Sequence, residues 1–184
     1  MALAATLYHL EIALSDSDRG VYESLDLRVA RHPSETMRYM LARTIALCLL
    51  WEDGIAFSKG LSTNDEPAVW LREPDGRVRL WVDVGHPSAE RLHKASKAAS
   101  RVVVCTYPDR VGLDRSIAGA RIHRADHIEV IAFSTVFLDQ LDAVTTQRVR
   151  WDFVHTGGQI YVTAGGSTVE GAVTRSTLVS DERA

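Results

Sequence analysis

Apolar and polar residues alternate near the N-terminus, which is the pattern of a half-buried β-strand. In residues 6–14 every second side chain shares one face: Thr6, Tyr8, Leu10, Ile12 and Leu14. The small polar segment 16–20 predicts a turn, and residues 21–30 predict the returning strand. The chain is therefore expected to begin with a long antiparallel hairpin.

A spacing of three to four residues follows and predicts a helix. Pro33 stops the strand, and Ser34 is the expected N-cap because its hydroxyl can accept a hydrogen bond from a free backbone N–H. Apolar residues recur at helical spacing: Met37, Met40, Leu41, Ile45, Cys48 and Trp51. Gly54 is the expected end of this helix, and a short extended piece is expected after it.

The middle of the chain predicts a βαβ unit. The Pro-Asp-Gly turn at 74–76 separates two strands, 68–72 and 77–84, and Asp-Gly is a strong hairpin signal. Ser88 is expected to cap a helix, and the Val-rich run 101–107 reads as a buried strand. Because the helix connects the second and third of these strands, they are predicted to be parallel.

The last third predicts a weak helix over 109–120, a strand over 127–133, a helix capped by Ser134, and a hairpin of strands 147–155 and 159–163. The expected fold class is α/β, with one mixed α+β sheet, flanking helices and an N-terminal hairpin. Residues 164–184 are rich in Gly, Ser, Thr and charge, so we expect a flexible C-terminal tail after a single domain of residues 1–163.

Composition limits the function without naming it. The 184 residues carry 21 basic and 24 acidic side chains, a net charge of −3, so nucleic-acid binding would need a local basic patch. Cys48 and Cys105 lie in apolar runs and are expected to be buried thiols. No apolar run reaches the roughly 20 residues of a membrane span. The first residues lack a basic segment, so a reducing cytoplasm is the expected location.

Carboxylates near the second hairpin are the first candidates for chemistry. Asp65 and Glu66 precede its first strand, and Asp83 lies near the carboxyl end of its second. Carboxylates on adjacent strands repel each other unless a cation lies between them, and oxygen ligands favour Mg²⁺ or Mn²⁺. The alternative is that Asp83 caps the next helix or pairs with a nearby lysine or arginine.

A row of basic residues follows on the next helix. Its members recur every three or four residues and share one face: Arg91, Lys94, Lys97 and Arg101. One interpretation is an ordinary solvated helix face. The other is a row of cations that contacts the phosphates of a nucleic acid.

Six segments of the sequence resemble the YaeQ family of small bacterial proteins. They are 18–23 (DRGVYE), 25–36 (LDLRVARHPSET), 57–62 (FSKGLS), 65–70 (DEPAVW), 81–85 (WVDVG) and 91–97 (RLHKASK). The resemblance extends over most of the chain up to about residue 165. It implies a restriction-endonuclease-like core of the PD-(D/E)-x-K nuclease type, in which a helix, three antiparallel strands, a helix and a strand follow one another.

The resemblance also implies roles for acidic residues. Glu35 matches the accessory acid of that nuclease superfamily. Glu66 matches the first metal-binding acid, with Asp65 as its neighbouring candidate, and Asp83 matches the second. The implied cofactor is Mg²⁺ or Mn²⁺.

The nuclease motif places a lysine two residues after the second acid, where this chain has Gly85. Superfamily members can carry that lysine on the next helix, and this implies Lys94 for the role, with Lys97 second. Lys59 is a further candidate from the preceding extended segment.

Three hypotheses follow. In the first, the protein is a metal-dependent nuclease in which Glu66 and Asp83 converge on one ion. In the second, it is a catalytically inactive nuclease-fold module that binds nucleic acid or a protein. In the third, the charged residues form a purely structural network in which Lys94 pairs with Asp83.

Overall fold

A computed structural model describes residues 4–58, 65–107 and 110–178. The strands of this part of the chain are β1 (Thr6–Asp16), β2 (Val21–Arg31), β3 (Ala56–Phe57), β4 (Val69–Arg72), β5 (Val78–Val84), β6 (Ala99–Thr106), β7 (Glu129–Ala132), β8 (Arg148–Thr156), β9 (Gln159–Ala164), β10 (Ser167–Ala172) and β11 (Thr174–Thr177). The helices are α1 (Met37–Leu49), α2 (Ala89–Ala98), α3 (Arg110–Ile117) and α4 (Thr135–Val144), and a 3₁₀ turn covers Ala125–His127.

The strands form two mixed sheets rather than the single sheet predicted from the sequence. One sheet has the order β10-β9-β8-β1-β2, and the other has the order β11-β7-β6-β5-β4-β3. The difference arises because β8 pairs in parallel with β1, which joins the C-terminal hairpin to the N-terminal one. The predicted mixed α+β class is confirmed, as are all three predicted hairpins and the parallel β5–β6 pair of the βαβ unit.

A single large core lies between the two sheets around α1. Leu10 and Trp151 contribute to it from the first sheet, and Val69 and Val82 contribute from the second. Residues 40–50 of the α1 region are all buried. A second cluster, which includes Leu92 of α2, covers the other face of the second sheet. That sheet is therefore buried on both faces, and this explains the continuous valine run in β6.

The start of α1 differs from the prediction. Thr36, not Ser34, is the N-cap, and its hydroxyl accepts a hydrogen bond from the Tyr39 N–H. The Ser34 hydroxyl is instead bonded to the ring of His32. The helix ends at Leu49, before Gly54, because Leu50 already has non-helical backbone angles and caps it. The predicted caps of α2 and α4, Ser88 and Ser134, are confirmed.

The flexible tail predicted from residue 164 onward is wrong for the part that the structure describes. β10 pairs with β9, and β11 pairs with β7 at the edge of the second sheet. Val169 and Leu178 are buried. Gly171 packs so closely on α4 that a Cβ there would lie 2.5 Å from the Phe137 ring. The small polar residues that resemble a linker are therefore needed for close packing.

Candidate functional site

Asp83 and Arg91 form a paired site at the carboxyl end of β5. The Asp83 side chain is 4% exposed, and both of its oxygens accept hydrogen bonds from Arg91. Arg91 Nε donates to Oδ2 at 2.9 Å, and Nη2 donates to Oδ1 at 2.7 Å. The prediction that Asp83 pairs with a nearby basic residue is therefore confirmed, although Lys94 is not its partner.

The same arginine also holds the segment that carries Asp65 and Glu66. Arg91 Nη2 donates a hydrogen bond to the Glu66 backbone carbonyl at 2.7 Å. The structure thus places the Arg91 guanidinium between the Glu66 main chain and the Asp83 carboxylate, whereas the prediction concerned the carboxylates of both residues. Arg91 is restrained by this double contact and by the Trp81 ring, whose centroid lies 5.7 Å from Cζ.

Lys94 pairs with Asp65 one helical turn beyond Arg91. The ammonium donates a hydrogen bond to the Asp65 carboxylate, and this bond lowers the pKa of Asp65 below its ordinary value. Both side chains are well exposed, 62% for Lys94 and 79% for Asp65. Exposed ion pairs are weak and are screened by salt, so this pair can open to admit another anion.

The other two members of the basic row differ from each other. The prediction that Arg101 shares the helix is wrong: α2 ends at Ala98, and Arg101 belongs to β6, where it donates two hydrogen bonds to Glu129 of the neighbouring β7. Lys97 is exposed and makes no ion pair with a described residue. Arg91 and Arg101 are thus held by less exposed carboxylates, whereas Lys94, with its exposed partner Asp65, and Lys97 lie open to solvent on α2. Lys59 lies outside the described residues.

Glu35 lies before α1 and forms a second, more deeply buried pair. Arg43 donates to both Glu35 oxygens, at 2.7 and 3.1 Å, and the two side chains are 2% and 6% exposed. Glu35 also accepts the backbone N–H of His32, and Arg43 donates to the carbonyl of Ala30. The predicted accessory acid therefore fastens the segment before α1 to the helix itself.

Tyr39 lies within the electrostatic influence of both pairs, and sequence reasoning did not single it out. Burial raises the pKa of its hydroxyl to about 12, and the negative charges of Asp83 and Glu35 add to this effect, while Arg43 and Arg91 oppose it. A tyrosine that feels all four charges places both pairs in one charged region. Tyr39 follows Met37 in the first turn of α1, and Arg43 is one turn further along. This spacing is the signal that could have indicated both residues.

The carboxylates at this site do not form a metal centre in their present arrangement. Both oxygens of Asp83 are occupied by Arg91, and Asp65 is occupied by Lys94. In the described part of the chain, no three Asp, Glu, His or Cys side chains are grouped as metal ligands. A divalent ion at Asp83 would have to displace a guanidinium that makes at least three hydrogen bonds. The residues therefore do not fit the Mg²⁺ or Mn²⁺ that the resemblance implies.

A third buried charged cluster, also absent from the predictions, joins the two hairpins of the first sheet. Asp16 is fully buried and accepts hydrogen bonds from Arg19 Nε at 2.7 Å and from the His155 ring at 3.0 Å. Burial raises the pKa of Asp16, but the bonds from Arg19 and His155 outweigh it and the net pKa is lowered. Asp18 accepts the N–H groups of the β8–β9 turn. This cluster therefore connects the β1–β2 turn with the β8–β9 turn.

The two cysteine thiols of the chain are not reactive sites. Cys48 and Cys105 are fully buried, as predicted. Burial raises the pKa of each thiol to about 12, so neither forms a reactive thiolate near neutral pH.

Two mixed sheets around a buried helix, with a paired arginine–carboxylate site at the carboxyl end of the interior strand β5, define an α+β protein. The family model of the YaeQ protein matches residues 1–173. This chain belongs to the YaeQ family, as the sequence segments predicted.

Known relatives agree with this assignment. The YaeQ proteins of Escherichia coli strain K12 and Salmonella typhi are 37% and 38% identical to it over 110 residues, which is 60% of this chain. The matched segment spans 61% of the length of each of these relatives.

Two crystal structures share the fold. The YaeQ protein from Xanthomonas axonopodis pv. citri has a TM-score of 0.86 and 31% identity, over 93% of this chain and 97% of that one. The YaeQ protein from Pseudomonas syringae has a TM-score of 0.83 and 31% identity, over 96% and 97%. In the part of the chain that the structure describes, no helix is long and apolar enough to cross a membrane.

Proposed function

We propose that this protein is a nuclease-fold module that binds nucleic acid through the outer face of α2 and does not cleave it by metal-dependent hydrolysis. The observation that carries the proposal is the pair of hydrogen bonds from Arg91 to Asp83. They occupy both oxygens of the carboxylate that a nuclease would use to bind its metal ion. Asp83 therefore holds α2 in place.

The order of elements supports the nuclease-like part of the proposal. After α1 come the antiparallel strands β3, β4 and β5, then α2, then β6 in parallel with β5. A helix, three antiparallel strands, a helix and a strand is the order implied by the resemblance to PD-(D/E)-x-K nucleases. A fold does not establish an activity, so the binding part has to stand on the side chains of the site.

Charge on α2 supports the binding part. Lys94 and Lys97 lie three residues apart, which places them on one face of the helix, and both are exposed. The Lys94–Asp65 pair is open to solvent, so a phosphate group competes with Asp65 for the ammonium. Arg91 holds the helix to the carboxyl end of β5 through Asp83. The protein is acidic overall, so we expect modest, strongly salt-dependent affinity.

A metal-dependent nuclease is the second candidate, and one observation favours it. Arg91 and Lys94, one helical turn apart, bond the Asp83 carboxylate, the Asp65 carboxylate and the Glu66 backbone carbonyl. The nuclease hypothesis further requires the Glu66 carboxylate to meet Asp83, and Arg91 to release Asp83 when substrate and ion arrive.

One experiment separates the two candidates. Labelled single- and double-stranded DNA and RNA are incubated with the full chain in Mg²⁺, in Mn²⁺ or in chelator, and both binding and cleavage are followed. The variants are Lys94→Gln with Lys97→Gln, and Asp83→Asn. Arg115→Gln, an exposed arginine on α3, is the control that matches the loss of one positive charge.

The proposal predicts binding without cleavage under every metal condition. Loss of both lysines should reduce affinity and reduce the slope of log affinity against log salt by about 0.7 to 0.9 for each lost phosphate contact, whereas Arg115→Gln should not. Metal-dependent cleavage that Asp83→Asn abolishes in a folded protein would establish the nuclease instead. No binding to any of the four nucleic acids would contradict both candidates.

A further inference from the structure

A basic cleft lies at the other end of α2, away from Asp83. Its volume is about 480 Å³, and it is lined by the last turn of α2, the starts of β5 and β6, and the loop before the 3₁₀ turn. Four of its side chains carry or can carry positive charge: Arg77, Lys97, His123 and Arg124. No carboxylate belongs to the described residues that line it.

The positive charge of this cleft is largely uncompensated. Lys97 and Arg124 are exposed, and neither makes an ion pair with a described residue. Arg77 contacts Asp75 two residues away, but both side chains are more than half exposed, so a competing anion can displace that contact. Elsewhere on α2 the basic residues have acidic partners, as Arg91 and Lys94 do.

Backbone strain at Arg124 is a second, independent observation that favours a ligand-binding role for this loop. Its φ of 51° and ψ of 40° lie in the left-handed region, and it is the one non-glycine residue in the described part of the chain with positive φ. Neither glycine nor asparagine occupies this position, although both adopt the conformation at lower cost. Strained residues of this kind concentrate at ligand-binding sites.

Hydrogen bonds hold the loop of the cleft beside α2. The Ser96 hydroxyl donates its hydrogen to the His93 carbonyl at 3.0 Å and lies 3.4 Å from Nδ1 of His123. The His123 backbone N–H donates to the ring of His93 at 3.2 Å. Ser100, which is exposed, adds a hydroxyl to the lining. The cleft therefore offers cations and a hydroxyl on an anchored loop.

We infer that this cleft binds a phosphoryl group. A phosphate has oxygens in several directions and a charge of one to two, and it is therefore suited to two or more converging cations and hydroxyl donors. The carboxyl end of α2 places partial negative charge near the cleft, so a single cation would not suffice there. Lys97 and Arg124 together overcome this repulsion.

The inference stands apart from the proposed function, although Lys97 takes part in both. Lys94 does not line the cleft, and Arg124 does not lie on α2. Lys94→Gln therefore tests the nucleic-acid face alone, and Arg124→Gly tests the cleft alone. The glycine variant removes the guanidinium and relieves the backbone strain, so it is expected to fold.

Binding to the full chain is measured by calorimetry with inorganic phosphate, pyrophosphate and a short oligonucleotide without a terminal phosphate. The variants are Arg124→Gly and Lys97→Gln, with Lys94→Gln and Arg115→Gln as controls. We expect saturable binding of at least one ligand that weakens about tenfold in each cleft variant, since bonds to charged groups are the stronger ones, and that changes less than twofold in Arg115→Gln.

The choice of ligand identifies the source of the phosphoryl group. Tight binding of phosphate or pyrophosphate indicates a free phosphorylated compound, whereas binding of the oligonucleotide alone, weakened by Arg124→Gly, indicates a phosphodiester backbone. Failure of all three ligands to bind, or binding that Arg124→Gly and Lys97→Gln leave intact, would overturn the inference. Binding to the Lys94→Gln variant is measured separately. If nucleic-acid binding through α2 fails, Arg124→Gly therefore still tests phosphoryl binding in the cleft.

Discussion

Arg91 lies between Asp83 and the main chain of Glu66, and through them it connects α2 to the β4–β5 hairpin. Asp83 is nearly inaccessible, whereas the Arg91 side chain is 27% exposed. The two partners therefore differ in what they lose when the pair is broken. A buried carboxylate left alone has no access to water, but a partly exposed guanidinium does.

This asymmetry gives the first prediction. Arg91→Met should destabilise the fold by about 2–4 kcal/mol because it leaves the Asp83 charge buried and unpaired. Asp83→Asn should cost less, since Arg91 can turn toward solvent. Urea unfolding of both single variants and of the double variant measures the costs and their coupling. Equal costs, or additive ones, would contradict a paired anchor.

Glu35 is expected to be a structural residue. Glu35→Ala should destabilise the fold by about 3–5 kcal/mol, because it leaves Arg43 buried without its carboxylate. Asp139→Ala is a matched control, since Asp139 makes the same two-bond contact with Arg38 on the surface, where exposure makes its loss nearly silent. Equal unfolding midpoints for the two variants would contradict a stabilising role for Glu35.

Acid sensitivity should arise in part from Asp16. Its folded pKa is below the ordinary value of 3.8, so its stabilising contribution is complete above that pH and is lost as the pH falls through the folded pKa. Asp16→Asn should cost about 1–3 kcal/mol at pH 6, and less at pH 2–3. Unfolding curves at both pH values test this, and a constant difference between variant and parent would contradict it.

The C-terminal strands should contribute to stability. Gly171→Ala would place a Cβ within 2.5 Å of the Phe137 ring, so we expect a loss of about 1–3 kcal/mol from overpacking. Glu170→Ala, at the exposed neighbouring position, is the control and should change little. A stable Gly171→Ala protein would mean that this strand does not pack on α4 as described.

Local patterns predicted most of the secondary structure. Alternation along β1 and β2, the Asp-Gly turn and the caps Ser88 and Ser134 each depend on neighbouring residues, and each was confirmed. The division into two sheets was missed because the parallel pairing of β1 with β8 joins distant parts of the chain, and the alternating pattern of a strand does not name its partner.

Glycine was misread for a related reason. Gly112 weakened the helix prediction over 109–120, yet it lies within α3, where a Cβ would be 2.2 Å from the His86 ring. Likewise the Gly- and Ser-rich segment after residue 164 resembled a linker. In both cases a contact from elsewhere in the chain requires the small residue.

The pairing of the charged residues could not be predicted from the sequence. The carboxylates of Asp65 and Asp83 and the backbone carbonyl of Glu66 all bond cations of α2. Which cation reaches which carboxylate depends on side-chain length and on the angle of α2, and spacing does not contain either. Arg91 was expected to contact phosphate, and it is instead the partner of Asp83.

Titration with Mn²⁺, followed by electron paramagnetic resonance, tests the central claim most directly. If Arg91 occupies Asp83, the wild-type protein and a folded Asp83→Asn variant should bind Mn²⁺ equally weakly, without a stoichiometric site. One tightly bound Mn²⁺ per chain in the wild type, lost in Asp83→Asn while circular dichroism shows the fold intact, would contradict the claim and make Asp83 a metal ligand.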